Sequence, residues 1–169
     1  MPNGVDFQWQ ESMKDLRAII SQHQLFHGLS ARHSEILAGH ASEAHFDTDQ
    51  ILFREGEVAW QFYLIQSGRI VLESYTPPHG MLHMQFVPAG EVLGWSWLFP
   101  PFHWHFQARA VEATEAILLD GCRLLIACEE DPNFGYQLMK RIAQVLIHRL
   151  EAGHKRLLEL QQEVRAIAA

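Results

Sequence analysis

Ile51-Leu52-Phe53-Arg54-Glu55-Gly56-Glu57, Phe62-Tyr63-Leu64-Ile65 and Ser67-Gly68-Arg69-Ile70-Val71-Leu72 lie close together near the middle of the chain and decide its fold. Ile51 and Phe53 alternate with Leu52 and Arg54, the period-two pattern of a strand. Glu55-Gly56-Glu57 breaks that pattern as a turn. The apolar runs 62–65 and 70–72 flank Ser67-Gly68-Arg69, so strand, turn and strand follow one another. A glycine suits such turns because it adopts positive φ without a steric penalty.

The same punctuation extends outward. Thr76-Pro77-Pro78-His79-Gly80 is a further turn, and Leu82 to Val87 a strand stopped by Pro88-Ala89-Gly90. Phe106 to Val111 and Ala116 to Leu119 are two more strands. Short strands at such intervals predict an all-β barrel, sandwich or roll. Helical spacing flanks it on both sides. Residues 1–10 show no pattern and are expected to be loose. Glu11 to Gln22 carries Met13, Leu16, Ile19 and Ile20 on one face, and Ser30 caps a second helix through Leu37. Beyond Asp120-Gly121, Cys122 to Cys128 reads as a short helix stopped near Asp131-Pro132. Asn133 is placed to cap a last helix reaching about Ala166. Residues 1–132 and 133–169 are read as the roll and the long helix of one domain.

That last helix carries a seam. Tyr136, Met139, Ala143, Leu146, Leu150, Gly153, Leu157, Leu160, Val164 and Ile167 alternate spacings of three and four, a heptad pattern for a partner helix. Ala143 and Gly153 would allow close approach. A helix this long outruns a small roll, so its distal half is expected to pair with a second copy in a two-fold dimer. The alternative is that the stripe packs on its own roll.

Composition narrows the function. Hydrophobic residues make up 48% of the chain and charged ones 20%, as in a packed globular protein, and the net charge of −7 disfavours binding along a nucleic-acid backbone. Two cysteines are too few for an iron–sulfur cluster of four thiolates and read as reduced thiols. No apolar run approaches the roughly 20 residues that cross a bilayer, and the N-terminus lacks the charge pattern of a signal peptide. A cytoplasmic location is the expectation. Gly-x-Ser-x-Gly, His-Glu-x-x-His and a phosphate-cradling glycine loop followed by lysine are all missing, so the chain is not expected to be an enzyme.

Arg54-Glu55-Gly56-Glu57, Phe62 to Ile65 and Ser67-Gly68-Arg69-Ile70, with Leu25-Phe26-His27-Gly28-Leu29-Ser30 before them, resemble the cyclic-nucleotide-binding domain of the catabolite activator and fumarate–nitrate regulator (CRP/FNR) family. The resemblance covers about residues 22–165. It implies a mainly β fold, a double-stranded β-helix or jelly-roll-like β-roll, with N-terminal helices and a long C-terminal dimerisation helix. Pro88-Ala89-Gly90-Glu91-Val92-Leu93-Gly94 resembles the start of the family's phosphate-binding cassette. It implies a ligand site at Gly90, Glu91, Val92, Leu93, Gly94 and Trp95, with Glu91 accepting a ribose hydroxyl. Aligning on Ala108-Arg109-Ala110 puts Trp104 and His105 where the family places an arginine and a small residue on the cyclic phosphate. A tryptophan cannot supply the charge-assisted fork of a guanidinium, so tight binding of cyclic AMP or cyclic GMP is not expected. Arg109 and a protonated His105 are the remaining candidates for a phosphate. On the long helix Arg149, Gly153 and His154 fall at the level of the base.

The segment between is longer than usual in the family. Trp95, Trp97, Phe99, Phe102, Trp104 and Phe106 could line a pocket for an apolar or planar ligand, or fill it themselves. His103 and His105, alternate residues of one strand face, are the weak metal candidates among eleven histidines. Cyclic nucleotide is the first ligand the resemblance implies, and haem the second. The family's transcription factors continue into a helix-turn-helix domain, whereas this chain stops at Ala169. The expectation is a stand-alone effector-sensing domain that dimerises through Met139, Ala143, Leu146, Leu150, Gly153, Leu157, Leu160 and Val164 and signals to an unidentified partner protein, without binding DNA directly. The alternatives are a scaffolding dimer with a non-functional pocket, or a haem- or metal-based sensor.

Overall fold

A computed structural model describes residues 15–167; the expected loose segment 1–10 and Met13 lie outside the described residues. Helix α1 (15–22) leads to a 3-10 turn at Gln24–Phe26 and to α2 (Ala31–Gly39). Eight strands follow: β1 (Ala41–Phe46), β2 (Ile51–Phe53), β3 (Gln61–Ser67), β4 (Arg69–Thr76), β5 (Gly80–Pro88), β6 (Val92–Leu93), β7 (Gln107–Ala110) and β8 (Thr114–Asp120). A 3-10 turn at Trp95–Leu98 separates β6 from β7. Helices α3 (Gly121–Glu130) and α4 (Pro132–Ile167) complete the chain.

The strands form two antiparallel sheets, ordered β1-β8-β3-β6 and β2-β7-β4-β5. The expected β-roll with flanking helices is the fold. Strand β3 explains why 62–65 reads as an unbroken apolar run. Phe62 and Leu64 face a core under the helices, with Ile20, Phe26, Trp97 and Phe134. Tyr63 and Ile65 face the roll interior, with Phe53, Ile70, Leu93 and Trp104. A strand covered on both faces needs no polar alternation. The second sheet has only its inner face in the roll, through Ile70, Leu72, Ala108 and Ala110.

Side-chain caps fix the helix starts. Ser30 Oγ accepts the His33 N–H at 3.2 Å, as expected, and Asp120 Oδ1 accepts the Arg123 N–H at 3.0 Å. For α4 the expectation fails by two residues. Asp131 Oδ1, not Asn133, accepts the first-turn N–H, from Phe134 at 3.1 Å. Pro132 starts this helix rather than stopping the one before. Its fixed φ and missing N–H suit the first helical position. The expected division at 132/133 therefore falls one residue inside α4.

Helix α4 has 36 residues, about 54 Å at 1.5 Å per residue. Phe134, Leu138 and Ile142 bury its first part against the helix-side core, and Val145 and Leu146 are partly covered there. From Leu150 to Ala166 every residue is exposed. The distal stripe does not pack on its own roll. Along the seam Leu146 is half-buried, and Tyr136, Met139, Ala143, Leu150, Gly153, Leu157, Leu160 and Val164 are exposed. The Ile167 side chain lies outside the described residues. No described helix is long and apolar enough to cross a membrane.

Candidate functional site

Strand β6 is two residues long and sends its side chains opposite ways. Val92 joins the helix-side core and Leu93 the roll interior. Gly94 follows with φ +91°, and a Cβ on it would lie 2.9 Å from the Gln61 carbonyl oxygen and 3.1 Å from the Tyr63 and Trp104 rings. Only glycine fits so close an approach at that φ. The chain then enters the Trp95–Leu98 turn, which borders the inside of the roll.

Trp104 fills that interior. It is 5% exposed, and its ring is stacked on Phe53 and tilted against Tyr63. The remaining cavity is about 40 Å³, bordered by Leu93, Gly94, Trp95, Trp104, His105 and Phe106 among others. Small-molecule sites occupy about 300–1,000 Å³, whereas one liquid water takes about 30 Å³. Of the two readings of the aromatic segment, the roll shows the filled one. Not all of the expected aromatics take part. Trp97 packs into the helix-side core against Phe62, while Phe99 and Phe102 are exposed. The segment coils into a 3-10 turn at Trp95–Leu98, so its side chains do not share a face.

The candidate ligand residues separate into three places. Leu93, Gly94, Trp95, Trp104 and His105 border the roll cavity. Gly90, Glu91, Val92 and Arg149 line a cleft beside α4. Arg109 is in neither. The glycine that opens the short helical turn on the roll is Gly94, and Trp95 comes next. Gly90-Glu91, expected to begin the ligand site, forms the preceding turn. Glu91 lies outside the roll and faces Arg149 at 3.4 Å. Gly153, expected at the level of a base, has nothing within 4 Å of an added Cβ, and it and His154 are exposed.

Arg109 is the second correction. Ala108 and Ala110 point inward, so their neighbour points outward by strand alternation. On the outer face its guanidinium meets both oxygens of Glu73, at 2.5 and 3.2 Å, and Asp49 at 2.8 Å. Glu73 is 2% exposed and is also approached by Gln107 at 3.2 Å and His83 at 3.1 Å. Hydrogen bonds from Arg109 hold its carboxyl below the ordinary value, against the opposing effect of burial. This network was missed in the sequence. Its one signal is an acid directly after Ile70-Val71-Leu72, at a register shift between Leu72 and Glu73.

His103 and His105 do not form a strand pair. His103 sits in an isolated bridge with Val58, its Nδ1 2.6 Å from the Pro101 carbonyl oxygen, and His105 lies in a bend. Among the described residues no three His, Cys, Asp or Glu side chains converge as metal ligands.

The cleft beside α4 is the roomier feature, about 410 Å³, between the Gly90–Val92 turn, the segment at His23 and the middle of α4. Arg149 reaches across from α4. Its Nη2 donates to the Val92 carbonyl oxygen, and its guanidinium lies 4.6 Å from the Trp95 ring. Burial lowers its pKa from the usual arginine value, with Glu91 partly opposing. Trp95, which borders the roll cavity, thus also carries the Arg149 guanidinium on its ring.

The comparisons agree with this architecture. The family described as the cyclic nucleotide-binding domain matches residues 43–131. A Geobacter metallireducens GS-15 protein assigned to cyclic nucleotide binding is 25% identical, with 82% of this chain and 98% of that one covered at a TM-score of 0.71. Thermus thermophilus catabolite activator protein is 23% identical, covering 81% of this chain and 62% of its own, at 0.64. The sensor domain of the transcriptional regulator DNR from Pseudomonas aeruginosa is 19% identical, covering 83% and 95%, at 0.68. No curated protein sequence matches. With more than half its length matched and the eight-stranded roll in place, the chain belongs to the cyclic nucleotide-binding domain family.

Proposed function

We propose that the chain is a non-enzymatic, ligand-sensing regulatory domain that pairs with a second copy along α4 and passes its state to a partner protein. The observation that carries this reading is the bare distal half of α4. Leu150 is 60% exposed and Leu157 59%, on a heptad stripe running through Leu160 and Val164. A single helix leaving such a stripe in water forgoes about 1.5–3 kcal/mol for each large side chain that a partner would bury. Arg149 and Leu150 are adjacent, so the Trp95–Arg149 contact lies beside the first residue of the fully exposed distal stretch of the seam. Two free thiols, Cys122 and Cys128, support the cytoplasm as its compartment.

Light scattering tests the pairing. Wild type is expected at twice the 19.4 kDa chain mass, and Leu150→Asp with Leu157→Asp at the single mass. A wild-type monomer at high protein concentration would overturn it.

A second reading, a scaffolding dimer with a closed pocket, is favoured by the filling of the roll by Trp104. Calorimetric titration with cyclic AMP and cyclic GMP separates the forms of ligand sensing. Among the described residues no arginine or lysine borders the roll cavity, so no heat is expected. Saturable binding would mean that Trp104 and Trp95 leave the roll to admit a nucleotide.

A further inference from the structure

We infer that the cleft between α4 and the Gly90–Val92 turn is a binding site for a small anion, a phosphate- or carboxylate-bearing molecule, recognised by Arg149 and Arg141 from outside the roll. The inference deepens the reading of the chain as a ligand sensor and rests on it, but it does not depend on dimerisation.

Charge is the first observation. The chain carries a net −7, yet two arginines, Arg141 and Arg149, line this cleft with Glu91 as their one carboxylate. Arg141 holds only uncharged acceptors, the Gln137 carbonyl and side-chain oxygens and the His27 carbonyl at 3.2 Å. Among the described residues no carboxylate pairs with it. An uncompensated guanidinium lining the same cleft as a second one favours an anion there.

An unmet donor is the second observation. Arg149 is 13% exposed, its Nη1 is fully covered, and that atom has no hydrogen-bond acceptor. His23 Nδ1 accepts the Leu25 N–H, which places the neutral ring's proton on Nε2. Burial lowers the His23 pKa and so favours that neutral ring. Nε2 is also buried and faces the Gly90 carbonyl oxygen, which leaves His23 as a neutral wall of the cleft. One buried donor at this cleft, Arg149 Nη1, lacks an acceptor, and leaving such a group unmet is costly. An oxyanion in the cleft supplies that acceptor once the guanidinium turns toward it. The volume, about 410 Å³, admits a metabolite-sized molecule.

The ligand would meet Arg149 where that residue already holds the Val92 carbonyl and covers Trp95. Drawing the guanidinium toward an anion loosens its hold on Val92 and on Trp95, which borders the roll cavity. That connects the cleft to both the cassette segment and the seam of α4.

Titrating the full chain with inorganic phosphate and, separately, citrate, while following the Arg149 side-chain and His23 ring NMR signals, tests the assignment. Saturable shifts at these residues are expected, with affinity falling about tenfold or more, 1.4 kcal/mol per decade, in Arg149→Gln. Arg141→Gln is expected to weaken binding several-fold, and Arg123→Gln, on the far end of α3, to leave it unchanged. Arg149→Lys keeps the charge without the planar fork and is expected to fall between. This keeps the test decisive should Arg149→Gln unfold. Saturation by phosphate alone assigns a phosphate group, and by citrate alone a carboxylate. Linear, non-saturating shifts with both probes, or equal affinity in Arg141→Gln, Arg149→Lys and wild type, would overturn the site. The dimer mass is measured independently, so a failed cleft and a failed dimer are distinguishable.

Discussion

Trp104 lies flat on Phe53, ring centroids 3.9 Å apart and planes 17° from parallel. The pair plugs the interior of a roll whose family is described by its nucleotide site. Such a contact contributes about 1 kcal/mol beyond simple burial. Truncating Trp104 also leaves a cavity lined by apolar side chains. Trp104→Ala is therefore expected to destabilise the chain by about 3–5 kcal/mol, read as a drop in the urea midpoint with unchanged slope. Trp104→Phe, which keeps a ring on Phe53, is expected to lose less than half of that. A loss within error for Trp104→Ala would mean that the plug is not part of the packed core.

Glu73 gives the fold a pH dependence. Arg109 hydrogen bonds hold its folded pKa below 4.5, its ordinary value. A depressed carboxylate stabilises the fold above its unfolded value. That stability is lost as the pH falls from about 4.5 through the folded pKa. Glu73→Gln keeps the shape but weakens the bonds to Arg109, and is expected to cost about 2 kcal/mol near neutrality. The variant and wild type should converge in stability at acid pH. A constant gap across the pH range would show that the charge on Glu73 contributes nothing.

These two residues also show where the sequence was legible. The strand–turn–strand reading at 51–72 and the heptad stripe of α4 rest on local periodicity, which tertiary structure rarely reverses in strongly patterned segments. β6 has two residues and the following 3-10 turn four, too few for any period to register. The expected ligand set therefore joins Glu91, which lies outside the roll against Arg149, to Trp95, which borders the roll cavity. Arg109 was legible as a strand residue but not as the partner of Glu73. Their pairing, 36 residues apart in the chain, is set by the sheet register and not by any local pattern.

His45 is expected to titrate above 6.5, since Glu115 accepts from its ring at 2.8 Å and Asp47 lies 3.2 Å away on the other nitrogen. The sign is opposite to that of Glu73. The contribution is present below the unfolded value and is lost as pH rises through the folded one. The pair is open to solvent, so raising the salt concentration should draw the midpoint back. Glu115→Gln is expected to lower the NMR midpoint further than Asp47→Asn does, because the Glu115 bond is the larger cause. A midpoint at 6.5 in wild type would mean that the bridge between strands β1 and β8 does not persist in solution.

Gly153 separates the needs of one α4 from those of two. In a single chain nothing lies within 4 Å of an added Cβ there, and an exposed helical glycine costs about 1 kcal/mol relative to alanine. Gly153→Ala should therefore raise helicity and thermal stability if α4 were alone. Where two helices meet at this position, a larger side chain crowds the approach, and overpacking costs about 1–3 kcal/mol. Gly153→Leu is expected to keep or raise the helical circular dichroism while weakening the dimer by about five- to a hundredfold, measured by sedimentation across a dilution series. A tighter dimer in Gly153→Leu would place Gly153 off the seam. The contact would then shift to the neighbouring stripe through Ile147 and Leu158, which are 52% and 60% exposed.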